Sequence, residues 1–252
     1  MTDLERIGQR LVTGFPGTAL TPELVQVVKE YKIGNIILFR ENIASADQLR
    51  TLCADLQTLI RSETGHDAFI MIDQEGGAVT RLPESCINVP GSMALAATGD
   101  PETTYLAGKL TGEELRSLGV NFNLAPVADI ATQRGDFMYQ RSLGQDAQTT
   151  ALYVASVVGA MNQAGIASAL KHFPGYGDNK DTHRGLVVDN RPYETFLQQD
   201  FLPFQAGIQA GAGCILVAHN IVNCMDREHP ASLSPKVHQI LREELGFEGV
   251  VM

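Results

Sequence analysis

The sequence predicts an α/β fold, a (β/α)8 TIM-type barrel in which a parallel sheet is wrapped by helices. Three observations carry this. Short apolar runs alternate with amphipathic stretches along the whole chain, and strands that read as continuous Val/Ile/Leu runs are those buried on both faces. Polar, chemistry-bearing residues follow the apolar runs at 73, 171 and 219, as they do in a barrel whose site sits at the C-terminal strand ends. No G-x-G-x-x-G follows the first run, so the rival doubly wound sheet lacks its dinucleotide signature.

The elements follow in order. Residues 11–15 read as a first short strand. Thr21-Pro22-Glu23 opens a helix to residue 32, with a Thr cap, Pro in the first turn and an acid near the positive end of the dipole. Residues 35–39 (NIILF) are a second strand. The stretch 45–64 places Leu49, Leu52, Leu56 and Leu59 on one helical face. Residues 68–72 (AFIMI) form a third strand ending at Asp73, and after a Pro-containing connection a helix ends near 118. A fourth strand lies within 120–130, a helix spans 146–164, and a fifth strand covers 166–170. Residues 193–210 are helical, with Pro203 predicting a kink or two pieces. Residues 214–218 are a sixth strand, Ser234-Pro235 caps a helix to 245, and 249–252 begin a seventh. Seven strands are visible and the last part of a barrel is missing, so the chain reads as ending within a strand, a C-terminally incomplete domain. With no internal repeat, low-complexity tract or linker, residues 1–252 are expected to form one domain.

The chain has 252 residues, 44% of them hydrophobic and 19% charged, with a net charge of −10. These are globular values. The acidic balance argues against a nucleic-acid partner, which needs a basic face. Cys53, Cys86, Cys214 and Cys224 form no C-x-x-C pair, so a structural zinc site is not expected. The polar start MTDLERIGQR is no signal peptide, and no apolar run approaches the ~20 residues of a membrane span. The expectation is a cytoplasmic protein without a membrane partner.

Chemistry concentrates in KHFPGYGDNKDTH, residues 171–183, a polar loop fed by the fifth strand. Loops on a rigid scaffold are where catalytic groups gather. Asp181 and His183 stand two apart; a carboxylate there can fix an imidazole's tautomer and make it a general acid/base near neutral pH. The bland alternative is a solvated loop whose Asp, Asn and Gly residues only make turns.

Six motifs in order widen the picture: DQEGG-x-V-x-R-L at 73–82, N-L-A-P-V-x-D at 123–129, R-S-L-G at 141–144, KHFPG-x-G at 171–177, D-T-H at 181–183 and GFEGVV at 246–251. Together they span almost the whole chain, which resembles the bacterial β-N-acetylglucosaminidases of glycoside hydrolase family 3. The resemblance implies a barrel and a retaining mechanism through a covalent glycosyl-enzyme, with His183, paired with Asp181, replacing the usual carboxylic acid/base. It implies substrate binding by Asp73, Arg81, Arg141, Lys171 and His172, and release of terminal β-linked N-acetylglucosamine from peptidoglycan fragments or chitooligosaccharides, with no cofactor. A pocket mixing carboxylate, guanidinium, ammonium and imidazole suits a many-hydroxyl ligand. A His places less negative charge beside the sugar than a carboxylate, so a phosphorylase variant with an anionic acceptor is the neighbouring alternative.

The structural alternative for Asp73 and Arg81 is an ion pair, and for His172 a buried core histidine; His219 and Asp129 read as structural or supporting residues. Tyr176 stands where many relatives carry His. The nucleophile is the larger departure. The family pattern puts an Asp about two residues past Met252, and no aspartate in the chain matches its context, so a catalytically incomplete sugar-binding fragment is the competing reading. A metal-dependent hydrolase using His172, His183, His219 and Asp73 is disfavoured by the absence of H-x-H or H-E-x-x-H spacing.

Overall fold

A computed structural model describes residues 2–252. Seven strands, β1 (Val12–Thr13), β2 (Asn35–Leu38), β3 (Phe69–Ile72), β4 (Phe122–Asn123), β5 (Ala167–Phe173), β6 (Cys214–Val217) and β7 (Val250–Val251), hydrogen-bond in chain order and are parallel throughout. Side chains alternate between the two faces with period two. One set, including Ile36, Leu38, Ile70, Ile72, Leu170, Ile215 and Val217, joins helix residues such as Leu49, Leu56, Ile60, Val154 and Val158 in one large core. The other set, Val12, Ile37, Met71, Phe122, Ala169, Cys214 and Met252, packs together in a second cluster. Val12 of the first strand and Met252, which follows the last, pack against this same cluster on the concave face of the curled sheet, in the manner of a barrel wall.

The helices form where their caps were legible. Thr21 accepts from the Leu24 amide ahead of Pro22–Tyr31, Ser45 from Gln48 ahead of Ala46–Thr64, and Asp146 from Thr149 ahead of Ala147–Ala164. Gly65 and Gly165 end the last two in the left-handed conformation. The segment 193–210 is in two helical pieces, as Pro203 implies, joined by a π turn at Phe196–Asp200. Pro203 cannot bond the carbonyl of Gln199, and the widened turn accommodates that loss.

Three strands differ from expectation by more than one residue at an end. The first ladder is confined to Val12–Thr13, because the chain leaves the sheet at Gly14 and Pro16 has no N–H. The fourth ends at Asn123, whose side-chain amide pairs with the Gln74 backbone in both directions at 3.0 Å, while Pro126 removes a donor beyond it. The fifth continues to Phe173, with a register shift between Lys171 and Phe173. Lys171 and His172 therefore stand on a strand rather than in the loop. A parallel ribbon of Val188–Asp189 with Ile221–Val222, not anticipated, joins the end of the acidic loop to the segment after His219.

Candidate active site

Period two decides which residues face the concave side. In β3 the inward residue is Met71, so the next inward position is Asp73; in β5 Ala169 faces in, so Lys171 does; in β6 Cys214 and then Leu216. At the C-terminal ends of the strands this inward set opens into a cavity of about 410 Å³ floored by Ile37, Leu124 and Leu216. Asp73, Arg81, Arg141, Lys171, His172 and His183 all line it. Asp181 does not line this cavity but backs His183 from the loop behind it.

The charged groups form one connected cluster. The Lys171 ammonium, 3% exposed, donates to Asp73 Oδ1 at 2.8 Å and lies 2.7 Å from Glu75 Oε1. Arg141 grips Glu75 with two parallel bonds, Nε to Oε2 at 2.8 Å and Nη2 to Oε1 at 2.7 Å, and its guanidinium lies 4.7 Å from the Phe137 ring centroid. Arg81 Nη2 is 3.6 Å from Asp73 Oδ2. Burial alone would raise the Glu75 carboxyl; the Lys171 charge and the Arg141 bonds outweigh it and hold the carboxyl down to about 2. The same burial opposes charge on Arg141, and its bonds to Glu75 raise it overall.

Two imidazoles each rest on a carboxylate. His172 Nδ1 is 2.7 Å from Asp129 Oδ2, which also accepts the His172 amide at 3.1 Å. Asp129 is fully buried, and its other oxygen accepts the Tyr176 amide at 2.6 Å. His183 Nδ1 is 2.6 Å from Asp181 Oδ1, which accepts the His183 amide at 3.0 Å as well. That amide, and then the ring, hold the Asp181 carboxyl below its ordinary value against a smaller opposing effect of burial. An ionised carboxylate only accepts, so in each pair Nδ1 is the donor and Nε2 is the ring nitrogen that the carboxylate does not engage. The two histidines differ in setting: the His172 side chain is 16% exposed and that of His183 82%.

All seven residues singled out from the sequence gather here. Asp73 and Arg81 do form an ion pair, yet both also line the cavity. Arg141 is in the wall with its guanidinium committed to Glu75. His219 lines the cavity too, while its Nδ1 bonds Ser232 Oγ at 2.9 Å, so a strand-end contact and a place in the wall coexist. Sequence reasoning passed over Glu75 and Phe137. The signal for Glu75 was present: two inward cations, Lys171 and Arg141, need more negative charge than Asp73 supplies, and Glu75 is the next acid in the same motif. Phe137 lies outside every motif. Among the described residues no group of three or more His, Cys, Asp or Glu is placed to hold a metal ion, and no helix is long and apolar enough to cross a membrane.

The chain is 37% identical over 250 residues to a protein named beta-hexosaminidase from Stenotrophomonas maltophilia K279a, covering 96% of this chain and 72% of that protein. It is 36% identical over 256 residues to beta-hexosaminidase A of Pseudoalteromonas piscicida, covering 93% of this chain and 43% of that one. Among solved structures, a glycoside hydrolase family 3 β-N-acetylglucosaminidase from Paenibacillus sp. FPU-7 superposes with a TM-score of 0.96 at 37% identity, over 100% of this chain and 48% of its own. A β-N-acetylhexosaminidase from Beutenbergia cavernae superposes with a TM-score of 0.89 at 28% identity, over 100% and 77%. The chain thus spans about half of the Paenibacillus structure and nearly three quarters of the Stenotrophomonas protein. Residues 3–252 match the glycosyl hydrolase family 3 N terminal domain, and with its curled parallel sheet and the cavity at the strand ends, the chain belongs to that family.

Proposed function

We propose that this chain forms the barrel domain of a retaining β-N-acetylhexosaminidase, which releases terminal β-linked N-acetylglucosamine from peptidoglycan fragments or chitooligosaccharides in the cytoplasm. The observation that carries the reading is the Asp181–His183 pair, bonded at 2.6 Å, with His183 on the wall of the cavity that holds the Asp73, Arg81, Lys171 and His172 cluster. Nε2 of His183 protonates the departing glycosidic oxygen and then takes a proton from the incoming water, while Asp181 orients the ring and balances its charge. Asp73 accepts from sugar hydroxyls, and Arg81, Lys171 and His172 donate to them or hold Asp73 in place. Arg141 shapes the wall through Glu75. The reading implies a carbohydrate substrate and no organic cofactor.

The family pattern places the attacking Asp about two residues past Met252. The local geometry supports that position: the Met252 carbonyl accepts from the Val217 amide at 2.8 Å, level with cavity residues Val217 and Ala218.

The test is release of p-nitrophenol from the β-N-acetylglucosaminide, beside the β-glucoside, with and without phosphate, by the protein carrying this domain. Selective turnover of the N-acetyl substrate is expected. A rate that rises with phosphate and yields sugar phosphate makes it a phosphorylase. Equal turnover of both glycosides, or none of either with a protein that contains the expected Asp, defeats the proposal.

A further inference from the structure

The acid/base loop has a rigid base and an exposed tip. At the base, Arg191 bonds both Asp189 and Asp200 and donates to the Gly175 carbonyl at 2.9 Å, and Asp178 accepts the Thr132 amide at 2.7 Å. At the tip, Arg184 and His183 have side chains 89% and 82% exposed, and Leu186 is 73% exposed. Asp181 bonds His183 within this tip, so the pair is assembled inside the loop itself. What sets its distance from the sugar is whatever ties the tip to the body.

Among the described residues, one hydrogen bond leaves the stretch 180–186: the Thr182 amide donates to the Tyr176 hydroxyl at 2.6 Å. Tyr176 is 2% exposed, and its own amide is held by Asp129, the carboxylate that orients His172. Its ring centroid lies 5.6 Å from that of His172 and 6.1 Å from Phe137, which in turn meets the His183 ring at 6.2 Å.

We propose that Tyr176 is a positioning residue for the acid/base: through the Tyr176 hydroxyl and the Thr182 amide it registers His183 against the sugar-side His172–Asp129 pair. Resting on the reading of His183 given above, this assigns a role to the phenol oxygen that is separate from the packing of the ring. A ring packed only for burial needs no hydroxyl, because Phe fills the same space.

The experiment compares the wild type with Tyr176→Phe. Protection of the Thr182 amide is read by hydrogen exchange, and kcat/KM is read over aryl N-acetylglucosaminides of graded leaving-group pKa, which reports the glycosylation step. For Tyr176→Phe we expect faster exchange at Thr182 and a kcat/KM that falls about threefold to tenfold on poor leaving groups, the worth of one net hydrogen bond. It falls less on activated ones, with KM little changed and the thermal midpoint retained. Should Tyr176→Phe fold poorly, Thr182→Pro deletes the donor instead. Asp181 is already extended (φ −63°, ψ 115°) ahead of the first residue of the 3₁₀ turn, where proline is accommodated. Unchanged exchange and an unchanged leaving-group dependence overturn the proposal. If the wild type hydrolyses no N-acetylglucosaminide, the reading of the function fails, and Thr182 exchange alone still decides whether the hydroxyl holds the loop.

Discussion

Glu75→Gln tests how the site is held together. The Glu75 side chain is 3% exposed and takes two bonds from Arg141 and one contact from Lys171. Its carboxyl is held from an ordinary 4.5 down to about 2, which is worth about 3 kcal/mol of folding free energy at neutral pH. The isosteric amide keeps the shape and loses the charge. Lys171 retains Asp73, but Arg141, 13% exposed, loses the one carboxylate it pairs with among the described residues, which adds to the cost. For a chain of this size, about 3 kcal/mol corresponds to a fall in Tm of about 6–12 °C. A carboxyl held low in the folded state contributes fully above its free value of 4.5 and loses that contribution as the pH falls toward 2. Urea unfolding of both proteins should therefore show a wide gap in midpoint at pH 7, with equal slopes, and a gap that narrows below pH 4.5. A gap under about 1 kcal/mol at pH 7, or one that stays constant into acid, refutes the account of the cluster.

His183→Ala should lower kcat/KM on disaccharides and poor aryl leaving groups by about 10² to 10⁴, with a much smaller loss on dinitrophenyl glycosides; equal loss on all removes His183 from the acid role. Asp129→Asn should raise KM for the sugar about tenfold, because the His172 ring and the Tyr176 amide lose a charged acceptor, and an unchanged KM would mean that His172 does not touch the substrate. Gly175→Ala should cost about 3 kcal/mol or more, since φ there is +124° and an added Cβ would lie 2.2 Å from Asp200 Oδ1; a variant within about 0.5 kcal/mol of wild type by urea unfolding would contradict the packing of the loop base.

Much of the architecture was legible in the chain itself. The alternation of apolar runs with capped amphipathic helices dictates strand, crossover and parallel pairing, because those patterns are set by local geometry and by burial on both sheet faces. The same period of two, carried one step past the third and fifth predicted strands, agrees with the inward placement of Asp73 and Lys171, and the two-residue D-T-H spacing permits the Asp181–His183 contact, which is local. The tertiary structure decided the rest. That Lys171 belongs to a strand depends on Val127 and Leu216 from distant segments offering it partners. That Glu75 is an anion clamped between Lys171 and Arg141, residues about a hundred and about seventy positions away, depends on three segments meeting at one end of the sheet. That one buried carboxylate, Asp129, serves both His172 and Tyr176 depends on the same convergence. Local pattern specifies which way a side chain points; which charge it meets there is settled only when the sheet curls and brings remote strand ends within a few ångströms of one another.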